Sequence, residues 1–391
     1  MPASARADLR ASGVLATVEV DLAKLRRNVA RLRALVGGVR FASVVKANAY
    51  GHGLAPVARA LAGVVDLLCV YRVEEGLDIR EAGIQAPVLV LGPVPPAALA
   101  DAHAAGLAIT LWDTGSYRAD VARAARAASA PMRVHAKIDS GTTRLGLAAR
   151  DAAVAIGGYL DDPALALDGV FTHLAAAEEL ESGFTLAQLE RFEGALRPLD
   201  AALRARGVLR HAAASAAAML FPHLRLDLVR VGIATYGLWP SPETRAALAH
   251  PLLLEPALSW RTHLVVVREV PAGTSVGYGC TYHTERPSRI GVLPIGYAEG
   301  IPRAVSNRGA VLVAGVRVPI VGRVCMNMTF VDVTDVPAAM PGATVTLIGD
   351  DGAATLSADD WASWAQTIGY EIVARLPAEI PRIHTEDSGA A

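Results

Sequence analysis

Phe41-Ala42-Ser43-Val44-Val45-Lys46-Ala47-Asn48-Ala49-Tyr50-Gly51-His52-Gly53 sets one lysine at the end of an apolar run, with small residues and glycines directly behind it. A lysine leaving a buried strand is poised for carbonyl chemistry, because desolvation penalises its ammonium form and leaves a neutral amine able to form a Schiff base. A lone lysine at a strand end more often snorkels to solvent, so the reading depends on what surrounds the run. Upstream, Leu22, Leu25, Val29, Leu32 and Val36 recur at spacings of three and four, with Asp21 as N-cap and Gly37 as stop, which predicts an amphipathic helix.

Downstream, short apolar runs alternate with alanine-rich helical stretches. Phe41 to Lys46 is followed by Val65 to Val70, Pro87 to Gly92, Leu107 to Trp112, Met132 to Ile138, Leu167 to His173, Leu209 to Ser215 and Leu226 to Gly232. Eight such runs interleaved with helices over about 200 residues predict an α/β fold with an N-terminal (β/α)8 TIM-type barrel. An open doubly wound sheet is the alternative. Lys46, Lys137, His173, Ser215 and Arg230 all stand at or near the C-terminal ends of runs, and only a closed barrel brings those ends to one mouth.

After Gly237 the composition shifts. Trp239 to Pro256 carries four prolines and reads as a connection. Beyond it alternation dominates, in Ser259 to Val270, Ile290 to Ile295, Ala310 to Ala314, Val316 to Val321, Met328 to Val333 and Thr344 to Ile348, which predicts a mostly-β C-terminal domain. Ser357 to Ile368 reads as a capped helix with Asp360 in the capping-box position. The expected division is a tail at residues 1–14, a barrel at 15–245, a β domain at 246–385 and a tail at 386–391.

A net charge of −1 gives no electrostatic basis for binding nucleic acid or an anionic membrane, and no apolar run approaches the roughly 20 residues of a membrane span. The N-terminal stretch lacks the apolar core of a signal peptide. Cys69, Cys280 and Cys325 are odd in number and far apart, which fits neither a disulfide framework nor a metal cluster and suits a reducing cytoplasm.

Val44 to Gly53 closely resembles the cofactor-lysine motif of the alanine racemases, and further motifs follow in that family's order. Lys137-Ile138-Asp139-Ser140-Gly141-Thr142-Thr143-Arg144-Leu145-Gly146 is similar to the family's KxDTGMxRLG segment. Phe171-Thr172-His173 matches its strand-end FTH. His211 to Ser215 reads HAAAS where the family has H-x-A-N-S. Val229 to Gly237 resembles VRxGIxxYG, and Val276 to Tyr282 resembles V-S-Y-G-x-T-Y. Gly296 to Arg303 resembles GYADGxxR with Glu299 for aspartate, and Val321 to Met328 resembles VGRxCMD with Asn327 for aspartate.

The resemblance implies an alanine racemase dependent on pyridoxal 5'-phosphate (PLP), a cytoplasmic homodimer that supplies D-alanine for peptidoglycan. It implies that Lys46 carries the cofactor and that Lys46 and Tyr278 exchange the Cα proton of an aldimine on opposite faces, Tyr278 coming from the partner subunit. Arg144 then holds the cofactor's phenolic oxygen and the substrate carboxylate, and Lys137 is the candidate for carbamylation. His173 bonds the catalytic tyrosine. Arg230 faces the pyridine nitrogen and keeps it unprotonated. Tyr50, Ser215, Gly232, Ile233 and Tyr370 bind the phosphate, the Met326 backbone contacts the substrate, and Tyr297, with Arg303, Arg323 and Glu178, forms the entrance corridor for alanine. Asn327 removes a charge near the site, which points towards looser substrate choice. A racemase of larger amino acids, a PLP-binding barrel protein without turnover and a basic amino acid decarboxylase are the rival readings.

Overall fold

The computed structural model describes residues 14–180, 183–248 and 252–386. The tails expected at 1–14 and 386–391 lie, apart from Val14 and Glu386, outside the described residues. The chain forms two compact units. Of the described residues, one unit comprises those within Lys24–Ala49 and Leu54–Glu255, and the other those up to Ala23, Tyr50–Gly53 and those from Pro256.

In chain order the strands begin with β1 (Ala16–Asp21), which belongs to the second unit, and continue as β2 (Arg40–Val44), β3 (Leu67–Val70), β4 (Val88–Val90), β5 (Ala108–Leu111), β6 (Met132–Asp139), β7 (Leu147–Ala148), β8 (Leu165–Phe171), β9 (Leu209–His211) and β10 (Leu228–Val231). Parallel pairing runs β10-β2-β3-β4-β5-β6-β8-β9, with β7 on the end of β6. The seam between β9 and β10 is closed by backbone bonds from Asp227 N to Arg210 O (3.0 Å) and from Arg230 N to Ala213 O (2.9 Å), and by the Arg210 N–H donating to the Asp227 carboxylate (2.8 Å). The eight expected runs are the eight barrel strands. Their residues are mostly buried, because a parallel barrel is covered on both faces, so they read as apolar runs without regular alternation.

The helix Leu22–Val36 is as expected, with Leu25, Val29 and Leu32 fully buried. What precedes it departs from the expected boundary at residue 15. Strand β1 pairs antiparallel with β11 (Leu258–His263) and parallel with β21 (Arg382–Thr385), so it is a strand of the second unit. Ala16-Thr17-Val18-Glu19-Val20-Asp21 alternates apolar and polar residues, the pattern of a sheet with one polar face.

The second unit contains β12 (Val266–Val270), β13 (Ser275–Val276), β14 (Tyr282–His283), β15 (Ser288–Leu293), β16 (Ala310–Val313), β17 (Val316–Pro319), β18 (Thr329–Asp332), β19 (Thr344–Asp351) and β20 (Ala354–Leu356). One sheet runs β17-β16-β19-β11-β1-β21 with β20 on β19, a second runs β12-β15-β18, and β13 and β14 form a hairpin. The single run expected over Ser259 to Val270 is two strands in different sheets. Leu264 N bonds Ala343 O (3.0 Å) and Val265 N bonds Val292 O (2.9 Å), so the chain changes sheet between them. The connection expected at Trp239 to Pro256 holds a short helix, Pro242–Ala247, capped by the Ser241 hydroxyl accepting from Thr244 N (3.1 Å). The helix Ala358–Ala365 carries the expected capping box: Asp360 N donates to Ser357 Oγ (3.0 Å) and Ser357 N to Asp360 Oδ2 (2.8 Å).

Candidate active site

Lys46 follows β2 directly, and the backbone behind it is unusual. Ala47, Asn48, Ala49 and Tyr50 all have φ between 52° and 54°, a full turn of left-handed helix without a glycine. Each non-glycine residue there costs about 1–2 kcal/mol, so the surroundings must over-determine the turn. Ala49 N donates to Val45 O (2.9 Å), Asn48 Oδ1 accepts from Leu54 N (2.8 Å), and Ala47 N donates to the buried Glu75 carboxylate (2.6 Å). Burial and then the Arg144 charge lower the Lys46 pKa, against the opposing pull of Glu75 and Cys69. The direction is the one expected from the sequence, towards a neutral amine.

Arg230, on β10, is 4% exposed. Its Nη1 donates to His211 Nδ1 (2.8 Å) and its Nη2 to the carbonyls of Thr172 (2.7 Å) and Ala212 (3.1 Å). His211 Nε2 stands 2.9 Å from His135 Nδ1. An arginine only donates, so His211 carries its proton on Nε2 and gives it to His135, which carries its own on Nε2. Both histidines are therefore neutral. Burial, then Arg133 and Arg230, holds His135 at about 3; burial, then Arg230 and His135, takes His211 well below its ordinary value. Phe171 closes the group, stacked on His211 at 4.8 Å with the Arg230 guanidinium 5.1 Å above its ring and Lys137 Nζ at 5.7 Å.

Arg144 is placed by an aspartate. Asp139 Oδ1 accepts from the backbone N–H of Gly141 (2.8 Å), Thr142 (2.9 Å) and Thr143 (3.1 Å), and Oδ2 from that of Arg144 (2.7 Å). Burial raises the Asp139 pKa, but these four donors outweigh it and the net shift is downward. Gly146 closes the loop at φ 140°, where a Cβ would lie 2.5 Å from Asp139 N. Ser140 and Thr172 share a hydroxyl contact of 2.7 Å, and Arg191 donates to Ser140 O (2.5 Å). Lys137 is 5% exposed and its pKa is lowered to about 8, first by burial and then by Arg144 and Arg230. His173 is driven to about 3 by burial, then by Arg230, Arg144, Lys137 and Lys46. Lys46, Lys137, Arg144 and Arg230 thus act on one another through their charges, an arrangement that suits an anionic ligand.

Ser215 Oγ accepts from Gly232 N (3.0 Å), bringing the turn Ile233–Tyr236 to the start of the helix Ser215–Leu220. Ala214, at the N-cap, makes no side-chain capping bond, so the asparagine-to-alanine departure removes an internal acceptor beside those N–H groups. In the other unit Tyr50 and Tyr370 lie with ring centroids 6.3 Å apart.

Tyr278 belongs to the second unit, at the tip of the β13-β14 hairpin, and is 72% exposed. Gly277 and Gly279 flank it at φ 73° and 72°, and a Cβ on Gly279 would press on the Arg323 guanidinium at 3.1 Å. Tyr297 and Met326 are also exposed, and their loops are joined by Tyr297 N to Cys325 O (3.0 Å) and Ala298 N to Met326 O (2.9 Å). Glu299 accepts from Gly296 N (2.7 Å) and from Asn327 Nδ2 (2.6 Å). The two departures from the family pattern therefore meet: Asn327 donates to Glu299, where an aspartate would face it as a second carboxylate. This bond restrains the Met326 loop.

The barrel side chains expected from sequence, Lys46, Lys137, Arg144, His173 and Arg230, act on one another through their charges, and Ser215 meets Gly232. Phe171, Thr172, His135, His211 and Glu75 have supporting roles that sequence reasoning did not assign. Among the described residues there is no cluster able to hold a metal ion, and no helix is long and apolar enough to cross a membrane.

The family model for the N-terminal domain of alanine racemase matches residues 20–240, and that for its C-terminal domain matches residues 257–384. An alanine racemase of Symbiobacterium thermophilum is 43% identical over 372 residues, covering 94% of this chain and 96% of its own. One from Desulfosudis oleivorans is 41% identical over 388 residues, covering 96% and 98%. The crystal structure of alanine racemase from Streptomyces lavendulae superimposes with a TM-score of 0.88 at 36% identity, covering 95% of this chain and 97% of that one.

Proposed function

The chain belongs to the alanine racemase family, and on that premise we propose that it interconverts L-alanine and D-alanine with PLP as cofactor, as a cytoplasmic homodimer that supplies D-alanine for peptidoglycan. The observation that carries this reading is the buried Arg230, locked through His211 and three of its N–H groups, on the same barrel mouth as a lysine of lowered pKa. The residues fit the cofactor. Two N–H groups of Arg230 remain for a ring nitrogen, Lys46 is an amine of lowered pKa for a carbonyl carbon, and the cationic groups suit a phenolate and a carboxylate. Bound PLP supplies an electrophilic carbonyl carbon and a conjugated ring that accepts the electron pair left when Cα loses its proton.

The protein's own groups do the rest. Arg230 cannot surrender a proton, and with His211 fixed as its acceptor it donates to the ring nitrogen, moderating the electron sink and suppressing transamination. Arg144, on its Asp139-pinned loop, takes the substrate carboxylate as a guanidinium fork. Gly232, Ile233, Ser215, Tyr50 and Tyr370 hold the phosphate with neutral donors. Lys46 holds or returns the Cα proton on one face and Tyr278 on the other. Tyr278 comes from the partner subunit, with His173 bonding it, so a complete site requires two chains. Tyr297 and Met326, with Arg303, Arg323 and Glu178, form the approach. Lys137 has a pKa brought down to about 8, so its neutral amine is accessible near neutral pH to add CO2 and release a proton, giving a carbamate that pairs with Arg144. In this division the barrel unit carries Lys46, Arg144 and Arg230, and the β unit supplies the opposing base.

The reading is tested by incubating the holoenzyme with L-alanine in deuterated water. Loss of optical rotation with one deuteron at Cα is expected; retained rotation with no exchange would defeat it.

A further inference from the structure

Glu75 lies in the first turn of the helix Val73–Glu81, is 5% exposed, and belongs to none of the motifs that carry the site. Its carboxylate accepts three backbone N–H groups. Oε1 takes Ala47 N (2.6 Å); Oε2 takes Tyr71 N (2.8 Å) and Arg72 N (3.1 Å). The Arg72 bond caps its own helix and the Tyr71 bond fixes the loop after β3. The Ala47 bond reaches across to the loop after β2. One buried carboxylate thus joins the chain behind Lys46 to the neighbouring strand's loop.

We propose that Glu75 is a positioning residue of the reaction, holding the left-handed turn behind Lys46 so that the Lys46 side chain is fixed at the barrel mouth. The inference rests on the assignment of Lys46 made above. The Ala47 N–H belongs to the peptide plane that starts at the Lys46 carbonyl, so the direction in which that N–H is held sets ψ of Lys46 and the exit of its side chain. Ala49 N to Val45 O and Leu54 N to Asn48 Oδ1 close the turn further along, and Glu75 holds its first peptide plane from the neighbouring strand's loop. Ala47, Asn48 and Ala49 have no glycine's tolerance for positive φ, so releasing the plane lets the turn relax towards right-handed or extended conformations.

The chemistry also explains why a carboxylate is required. Both oxygens face N–H donors, so a carboxamide must point its NH2 at one of them. Keeping two bonds at the Tyr71 and Arg72 end turns the NH2 on Ala47, and Glu75→Gln therefore removes the Lys46-side bond while sparing the helix cap.

The experiment compares the holoenzyme with Glu75→Gln, and with Glu75→Gln in an Ala47→Gly, Ala49→Gly background whose glycines accept positive φ without strain. In folded Glu75→Gln, amide exchange over residues 44–53 accelerates by about tenfold while that of Val88–Val90 is unchanged. Its kcat falls by about a hundredfold with KM for alanine moved by no more than about threefold, because the lysine is misaimed and the carboxylate site is intact. The glycine background restores about tenfold in kcat. The inference is overturned if folded Glu75→Gln exchanges and turns over like wild type, if kcat falls without faster exchange at the turn, or if the glycines restore nothing. Should Glu75→Gln fail to fold, the glycine background decides: folding there supports strain at the turn as the cause, and failure there makes Glu75 a general structural residue. The exchange measurement needs no turnover, so a wild type inactive on alanine would refute the proposed reaction and leave the test of the turn standing.

Discussion

Lys46 and Tyr278, the two groups assigned to the proton transfer, are held in contrasting ways. Lys46 leaves a buried strand into a turn fixed by Glu75, Asn48 and Val45, among charges that act on one another through Arg144 and Lys137. Tyr278 stands at the tip of a hairpin of two-residue strands, 72% exposed, between two glycines at positive φ. The packing of Val276, Ile290 and Val321, with Tyr282 and Phe330 against them, anchors the base of that hairpin and leaves its tip in the open. The barrel side is preorganised by its own chain. The tyrosine is presented as a projecting group, and the environment it needs as a base must be provided by a surface to which it is applied. The proposed partner barrel, with its histidine and arginines, has that character.

The sharpest way to break this contrast is to delete each group. Lys46→Ala should lose both the visible absorbance of held PLP and turnover, by about 10⁴-fold or more, whereas Tyr278→Phe should keep the absorbance and lose about 10²–10⁴-fold in turnover. Absorbance lost in the tyrosine variant would show that the hairpin also builds the cofactor site. Next in size is Arg230→Leu. It leaves His211 Nδ1 and the carbonyls of Thr172 and Ala212 without their donor in the core, and should cost about 3–5 kcal/mol in urea unfolding. A variant as stable as wild type would mean that the network is not the rigid side of the comparison.

The buried histidines make the barrel side sensitive to acid. His135, His173 and His211 have depressed folded-state pKa values, so in this range the unfolded chain binds more protons than the folded one. Their stabilisation is present above the unfolded value of about 6.5 and is lost as pH falls below it, at up to about 1.4 kcal/mol per pH unit for each group, the loss running down to about 3 for His135 and His173. Urea midpoints at pH 7.5 and 5 should show this loss, and His173→Asn should make the drop shallower. An unchanged slope in that variant would mean that His173 is not held neutral.

The smallest effect is expected from Asn327→Asp. It replaces the donor at 2.6 Å from Glu299 with a second carboxylate at an exposed site, so KM for alanine should rise by a few-fold above neutral pH and recover as one carboxyl protonates. A flat KM across pH would remove Glu299 and Asn327 from the account of the entrance.

The sequence carried the barrel because its strands are covered on both faces, and Lys46, Arg144 and Arg230 stand where short motifs end a strand. Strand β1 went to the wrong domain although its alternation was visible, since its partners β11 and β21 lie more than 200 residues downstream. The left-handed turn was hidden for a different reason: Ala47 to Tyr50 contains no glycine, and one of the bonds that hold the turn goes to a carboxylate 28 residues away. The His135 to His211 to Arg230 chain is equally non-local, and no spacing within any one segment announces it.

Mixing Lys46→Ala and Tyr278→Phe chains, with subunit exchange confirmed by mass, tests most directly whether the two groups meet across two chains. Random pairing makes half of the dimers hybrid, each with one site holding both wild-type groups, so activity should return to about a quarter of wild type from two inactive parents. Complete exchange without any return of activity would contradict the shared site, and with it the division of the two bases between a preorganised barrel and a projecting hairpin.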